Sequence, residues 1–230
     1  MAVTVEGTPT TGAAVVSASS ITFSHTVGAT ATGLFVGAGN QNQLTSSVTF
    51  NSDLLTELWD VTDDTAGQKA SGSLMVSPDI VTGNVVVTWA AAADIGVAGA
   101  VGLAGLETAS VAAAHRTVYT ANNLGSAPTV TVVDSVSGDL VIDSAVTFGA
   151  TIAVGANQTS RCEDDAIAGG SSSWGVSTES ATGANTVMSW TGGSFSCTGA
   201  TALVAAAGAV ETVGHGMLLS GLRNQVIQRV

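Results

Sequence analysis

Short segments in which apolar and polar side chains alternate make up most of the chain between residues 21 and 210, and Gly, Ser, Thr and Asn separate them. Residues 21–27, which read Ile-Thr-Phe-Ser-His-Thr-Val, are typical. Because successive side chains of a β-strand point to opposite faces, such a segment has one mainly apolar and one polar face. Turn residues recur about every 8–12 residues, the spacing of a sandwich or barrel rather than of alternating strands and helices. The sequence therefore predicts an all-β fold, an antiparallel β-sandwich.

Two segments of this pattern admit a second interpretation. Residues 54–61 fit a helical stripe behind an Asp53 cap as well as a strand, and the turn-like residues before them favour the strand. Residues 95–103 place larger apolar side chains on one face and only Gly or Ala on the other. Each of their three glycines costs a helix roughly 1 kcal/mol relative to Ala, which favours a central strand buried on both sides. Residues 90–94 and 109–116 are predicted connectors or short helical turns.

The charge balance argues against several classes of partner. The chain has 17 acidic and five basic residues, a formal net charge of −12, and charged residues make up 10% of it. So few cations give nucleic-acid phosphates little to pair with, and the excess of acid repels anionic membranes. The longest apolar run, residues 95–106, is shorter than the ~20 residues of a membrane-spanning helix. We expect no nucleic-acid partner, no membrane partner and, from the first residues, no signal peptide.

The shortage of lysine bears on assembly. Edge strands are often protected by Lys or by inward-pointing charges, and this chain has a single Lys, Lys69. Its edges must instead be covered by loops, bulges or neighbouring subunits. We expect a homo-oligomer or a lattice of many chains.

The two cysteines, Cys162 and Cys197, are too few for a disulfide-stapled miniature fold or a four-cysteine zinc site. Each lies in a polar stretch, which would suit a disulfide bridge between the loop ends of two adjacent strands. One disulfide between them and two unpaired thiols both fit the sequence, because a bridge depends on a Cα separation that only the fold sets.

The end of the chain differs in character from the rest. We predict a single β-sandwich domain over residues 1–213, followed by a C-terminal arm or closing edge strand over residues 214–230. This tail contains two arginines and no acidic residue. Its apolar residues are candidates for an interface with a neighbour: Leu218, Leu219, Leu222, Val226 and Ile227.

No constellation of residues indicates catalysis. His25, His115 and His215 lie in unrelated segments, and His25 has the parity of the apolar face of its strand. The chain lacks a Gly-x-Ser-x-Gly elbow and a dinucleotide-binding glycine pattern. We expect no enzymatic activity, no cofactor and no resident metal. The acidic loops at residues 60–64 and 163–165 are solvated carboxylates in this interpretation, with Ca²⁺ binding as the alternative.

Four tryptophans could fill the core or, if exposed, stack on sugars. Trp89 and Trp190 end apolar strands and are expected at the rim of the core. Trp174 follows a serine-rich loop and is the main candidate for an exposed stacking or interface aromatic residue.

Several short motifs are spread over most of the chain. They are Met-Ala-Val-Thr-Val at 1–5, Ser-His-Thr-Val at 24–27, Gly-Leu-Phe-Val-Gly at 33–37, Val-Thr-Phe-Asn at 48–51, Ala-Gly-Ala-Val at 98–101, Gly-Ala-Asn-Gln-Thr at 155–159 and Met-Ser-Trp at 188–190. In these short motifs the chain resembles a family of β-sandwich, jelly-roll-like proteins found among the virion components of tailed phages. The resemblance implies a decoration, head-fibre or tail component with no catalytic residues to carry over. The cysteine pair departs from the family's pattern.

Together these observations predict a non-enzymatic bacteriophage structural protein, a capsid decoration or cement protein that stabilises the shell through inter-subunit contacts. Its expected partners are copies of itself and a capsid or tail protein, and its expected location is the virion, after synthesis in the host cytoplasm. The alternative is a carbohydrate-binding or adhesin module of a tail or fibre, with a glycan as partner.

Overall fold

The computed structural model describes residues 1–149, 151–165, 167, 172–183 and 185–207. Strands dominate it, with one helix of four residues among the described residues. All strand pairs in these ranges are antiparallel, and the sheets stack face to face in a sandwich that comes close to a closed barrel. The predicted antiparallel β-sandwich is confirmed.

The first half of the chain forms one eight-stranded sheet. Its strands are β1 (Thr4–Thr11), β2 (Val15–Thr26), β3 (Ala31–Gln41), β4 (Thr45–Phe50), β5 (Asp53–Leu54), β6 (Thr56–Thr62), β7 (Gln68–Val76) and β8 (Thr82–Ala104). They are ordered β5-β4-β8-β3-β7-β6, and β1 and β2 also pair with β8.

The second half forms a five-stranded and a three-stranded sheet. After helix α1 (Val111–Ala114) come β9 (Tyr119–Leu124), β10 (Thr129–Val132), β11 (Leu140–Phe148), β12 (Ala153–Val154), β13 (Thr159–Asp164), β14 (Ser172–Ser180), β15 (Thr186–Thr191) and β16 (Ser194–Leu203). The five-stranded sheet has the order β13-β14-β11-β16-β9, and the smaller one has the order β10-β15-β12.

Strand β8 organises the first sheet. Residues 95–103 lie between β3 on one side and β1 and β2 on the other, and both of their faces are buried, so the predicted central strand is confirmed. The predicted connector at 90–94 is wrong, because β8 runs through it. Ala93 pairs with Ala18 and is buried, so contacts distant in sequence extend the strand.

The other two ambiguous segments are settled in different ways. Residues 54–61 form strand rather than helix, although Leu55 interrupts the strand between β5 and β6. Residues 109–116 contain the predicted short helical turn, α1, whose cap is Ser110: its side-chain oxygen accepts a hydrogen bond from the backbone N–H of Ala113.

The main core lies between the two large sheets and takes side chains from both halves of the chain. Its largest members are Phe35, Trp59 and Trp174, with Val97 and Val101 of β8 beside them. A second cluster fills the opposite face of the first sheet, where Trp89 and Phe50 pack with the small side chains of β8. The boundary predicted between residues 213 and 214 lies outside the described residues.

The two halves of the chain repeat one arrangement of strands. In the first sheet β1, β8, β3, β7 and β6 lie side by side, and in the second β9, β16, β11, β14 and β13 follow in the same order. The pairing registers agree too. In the first sheet Gly99 pairs with Gly37 on one side and with Thr11 on the other. In the second sheet Gly199 pairs in the same way with Ser144 and with Thr120. We call strands β1–β8 the first repeat and β9–β16 the second.

Even an irregularity is repeated. The pairing of β6 with β7 shifts by one residue at Leu58, before Trp59, and the pairing of β13 with β14 shifts at Arg161, before Cys162. A β-bulge at the same position of both edge strands shows that the two repeats share one backbone plan. This correspondence makes Leu58 the counterpart of Arg161, and Trp59 that of Cys162.

The repeats also cover each other's edges. Strand β6 lies against β9, and β13 lies against β1, where the Cys162 thiol donates to the carbonyl oxygen of Thr10 at 3.6 Å. Both β6 and β13 carry the bulges described above. Bulges and near-closure protect edges without lysine. These four edges therefore do not require a second subunit, and the homo-oligomer stays a prediction.

Candidate functional site

Trp174 is not on the surface. Its side chain is 0% exposed, and it lies in the main core against two glycines, Gly39 and Gly99. A Cβ atom at Gly99 would lie 2.9 Å from Trp174 Cη2, so the glycine makes room for the indole ring. The prediction that Trp174 is an exposed stacking or interface residue is wrong, because β14 is an inner strand whose facing strands carry glycine at this point.

The two cysteines are free thiols in separate parts of the core. Cys162 lies between β1 and β8, whereas the Cys197 thiol donates to the carbonyl oxygen of Val61 at 3.4 Å. Burial raises the pKa of each thiol to about 12. Of the two arrangements left open by the sequence, the structure has the unpaired thiols and not the disulfide.

We expect both thiols to be nearly inert in the folded protein, because a buried thiol with a raised pKa is not a thiolate at neutral pH. Titration with a thiol-specific chromophore at pH 8 should give almost no reaction until denaturant is added, and then two thiols per chain. The intact mass of the denatured, unreduced protein should match two cysteines. A mass lower by two hydrogen atoms would contradict the structure.

The tail residues proposed as an interface, Leu218, Leu219, Leu222, Val226 and Ile227, lie outside the described residues. The same is true of His215. Their role stays a prediction. His25 is 2% exposed, its Nδ1 lies 3.0 Å from Thr10 Oγ1, and burial lowers its pKa. It is a core histidine, as its parity predicted.

The acidic loops use their carboxylates to hold the backbone. Asp63 Oδ1 accepts hydrogen bonds from the N–H groups of Thr65 and Ala66, and Asp165 accepts one from Ile152. Within the described ranges, no group of three or more His, Cys, Asp or Glu side chains could hold a metal ion. The loops at 60–64 and 163–165 therefore give no observation that favours Ca²⁺ binding.

A fully buried carboxylate, Asp143, was not singled out from the sequence. It accepts hydrogen bonds from the N–H and Oγ of Ser177, at 3.0 and 2.7 Å, and from Trp190 Nε1 at 2.7 Å. Burial raises its pKa to about 7 against the effect of these three bonds. An acidic residue within the apolar run Leu-Val-Ile-Asp-Ser-Ala-Val was the available signal. Through these hydrogen bonds Asp143 connects its own strand, β11, to Ser177 of β14 and to Trp190 of β15.

One exposed aromatic contact lies at the end of the second repeat. Phe195 is 41% exposed and makes an edge-to-face contact with Phe148, with ring centroids 6.3 Å apart. Beside it is a shallow cleft lined by Thr151, Thr191 and the two glycines that follow. Phe195 and Thr151 both have positive φ, at 52° and 40°, which is uncommon for residues other than glycine.

A concavity with a mainly polar lining lies at the ends of β11, β13 and β14. We call it the polar pocket; its volume is about 390 Å³, and Leu140 forms its apolar wall. The remaining lining residues carry hydroxyl, amide or charged groups: Asn157, Thr159, Arg161, Thr178, Glu179, Ser180 and Thr182. Arg161 Nε donates to Thr178 Oγ1 at 2.7 Å, which fixes the guanidinium at the pocket. Partial burial lowers the pKa of Arg161 and raises that of Glu179.

Across the described ranges, no helix is both long enough and apolar enough to span a membrane. Comparisons of the chain with protein-family models, with curated proteins and with solved structures each found no match.

Proposed function

We propose that the protein is a non-enzymatic structural component of a phage virion, a capsid decoration or cement protein that stabilises the shell through inter-subunit contacts. The observation that supports the proposal most is the duplicated sandwich, in which even the fully buried carboxylate Asp143 is held by hydrogen bonds from Ser177 and Trp190. A scaffold of this kind contributes a surface rather than a reaction. The motifs that resemble those of tailed-phage virion proteins support a virion as the assembly in which this surface makes its contacts.

The described surface offers apolar material for such contacts. Its exposed large apolar side chains, besides Phe195, are Met1, Val16, Leu44, Leu54, Ile80, Val81, Val133, Val136 and Val187. Singly exposed apolar residues are ordinary on a protein surface, so their exposure does not by itself indicate an interface. A stable interface buries roughly 1,200–2,000 Å² in total. In this proposal the tail over residues 214–230 supplies the rest.

Deleting residues 216–230 should abolish incorporation into the particle, because the deletion removes the apolar side chains assigned to docking. Particles assembled with the shortened chain would be purified, and the number of copies would be measured by mass spectrometry against the full-length chain. The thermal unfolding midpoint serves as the control and should stay unchanged. Unchanged occupancy of the particle would contradict the docking role.

Cryo-electron microscopy of the native particle tests the location. Regularly arrayed copies on the shell would support decoration, whereas a few copies at a fibre or tail tip would support receptor binding. A glycan-binding module of a tail or fibre is therefore the second candidate function. Trp174 gives it no support, and the polar pocket is the observation that favours it.

A further inference from the structure

The two repeats differ in chemistry at the polar pocket. Thr56 pairs with Leu74 in the first repeat as Thr159 pairs with Thr178 in the second, so the residues at this place can be matched one by one. Four apolar residues of the first repeat have polar counterparts in the second. They are Leu58, Leu74, Met75 and Val76, matched by Arg161, Thr178, Glu179 and Ser180.

In the first repeat these four positions are occupied by packed apolar side chains, and the cleft of that repeat, lined by residues 45–48, 54–57 and Ser73, includes none of the four. Leu74 is completely buried there, Leu58 and Val76 pack against the main core, and helix α1 lies against β7. In the second repeat the same place is open as the polar pocket. The same strand arrangement can thus close over apolar side chains, and the second repeat instead has an open cavity with polar walls.

The charge of Arg161 indicates the kind of ligand. The described ranges contain three cationic side chains. Arg116 forms an ion pair with Asp139, and Asp60 lies near Lys69. Arg161 forms no ion pair with any described carboxylate, although the chain has a net charge of −12. A half-buried guanidinium without a carboxylate partner suits a bidentate contact with a ligand carboxylate.

The rest of the lining suits hydroxyl groups. Asn157, Thr159, Ser180 and Thr182 supply donors and acceptors. A volume of about 390 Å³ lies in the range of small-molecule sites. We propose that the polar pocket binds an acidic saccharide unit, with its carboxylate on Arg161 and its hydroxyl groups on the surrounding side chains. This inference deepens the second candidate function and does not depend on the capsid role.

The test is titration of the full-length protein with glucuronate, followed by ¹H–¹⁵N NMR. We expect saturable shifts of the Arg161 Nε–H and of the Thr178 and Thr182 amides. In the variant Arg161→Leu, which takes the residue of the first repeat, affinity should fall by roughly tenfold or more, because charge-assisted hydrogen bonds are lost. Lys69→Gln is the matched control, since it removes the same charge outside the pocket and should leave affinity unchanged. Thermal unfolding of both variants establishes that they fold.

Glucose and acetate separate the parts of the proposal. Both should bind at least several-fold more weakly than glucuronate, because each offers only half of the contacts. Acetate binding as tightly as glucuronate would reduce the pocket to a simple anion site and overturn the saccharide assignment. Equal binding of glucose would overturn the role of Arg161, and no saturable shift with glucuronate would overturn the site. The number of copies in the virion is measured in a separate experiment, so the failure of saccharide binding and the failure of the capsid role can be told apart.

Discussion

Replacing Trp59 with alanine should lower the free energy of unfolding by about 3–5 kcal/mol, the usual cost of removing a large aromatic side chain from a core. Trp59 is 4% exposed and packs on Gly72 of its own sheet and on Gly199 of the other. Its ring centroid lies 5.6 Å from that of Phe35, and Nε1 donates to Ser144 Oγ at 3.1 Å. Chemical denaturation monitored by circular dichroism would measure the loss.

Two further variants separate the ring from its hydrogen bond. Trp59→Phe keeps an aromatic ring but leaves Ser144 without this donor, so a smaller loss of about 1–3 kcal/mol is expected. Gly199→Ala should destabilise the wild type, because the new Cβ would crowd the indole ring, and should cost less in the Trp59→Ala background. Additive effects of Gly199→Ala and Trp59→Ala would show that this packing does not couple the sheets.

The second large effect expected is a dependence of stability on pH through Asp143. Its pKa is about 7 in the folded protein, whereas an unperturbed aspartate has a pKa of 3.8. Between these values the folded state binds more protons than the unfolded state, so stability falls as pH rises from about 4 to about 7. The shift corresponds to about 4 kcal/mol, since one pKa unit is about 1.36 kcal/mol. Denaturation midpoints and slopes measured across this range would reveal it.

The variant Asp143→Asn isolates this effect. Asn does not titrate, so the difference in unfolding free energy between the wild type and the variant should change by about 4 kcal/mol between pH 4 and pH 7.5. The comparison removes the contribution of His25, whose lowered pKa acts in the opposite direction and costs stability as pH falls below 6.5. Parallel curves for the two proteins would mean that Asp143 ionises with an ordinary pKa despite its burial.

Two features of the structure do not follow from the local sequence pattern: the burial of Trp174 and the duplication of the strand arrangement. Trp174 follows a serine-rich stretch that predicts a loop and exposure, yet the glycines that receive its ring, Gly39 and Gly99, lie in two distant strands. The duplication itself was not recognised in the sequence. Its matched positions differ in chemistry, as Trp59 and Cys162 do, and the spacing between matched residues changes along the chain. Only the pairing register makes the two repeats comparable.

The sequence by itself determined the all-β class and the central strand at 95–103, because alternation along a strand and the size of successive side chains are local properties. The low charge also follows from composition alone. The tertiary structure decided which face of each strand is covered, where the two thiols lie and how the edges are protected. It also decided that Asp143 is buried and that Arg161 opens on a pocket while Leu58 packs against the core. These properties depend on contacts between residues that are distant in the chain, such as Asp143 with Trp190 and Cys162 with Thr10, and no local pattern records such contacts.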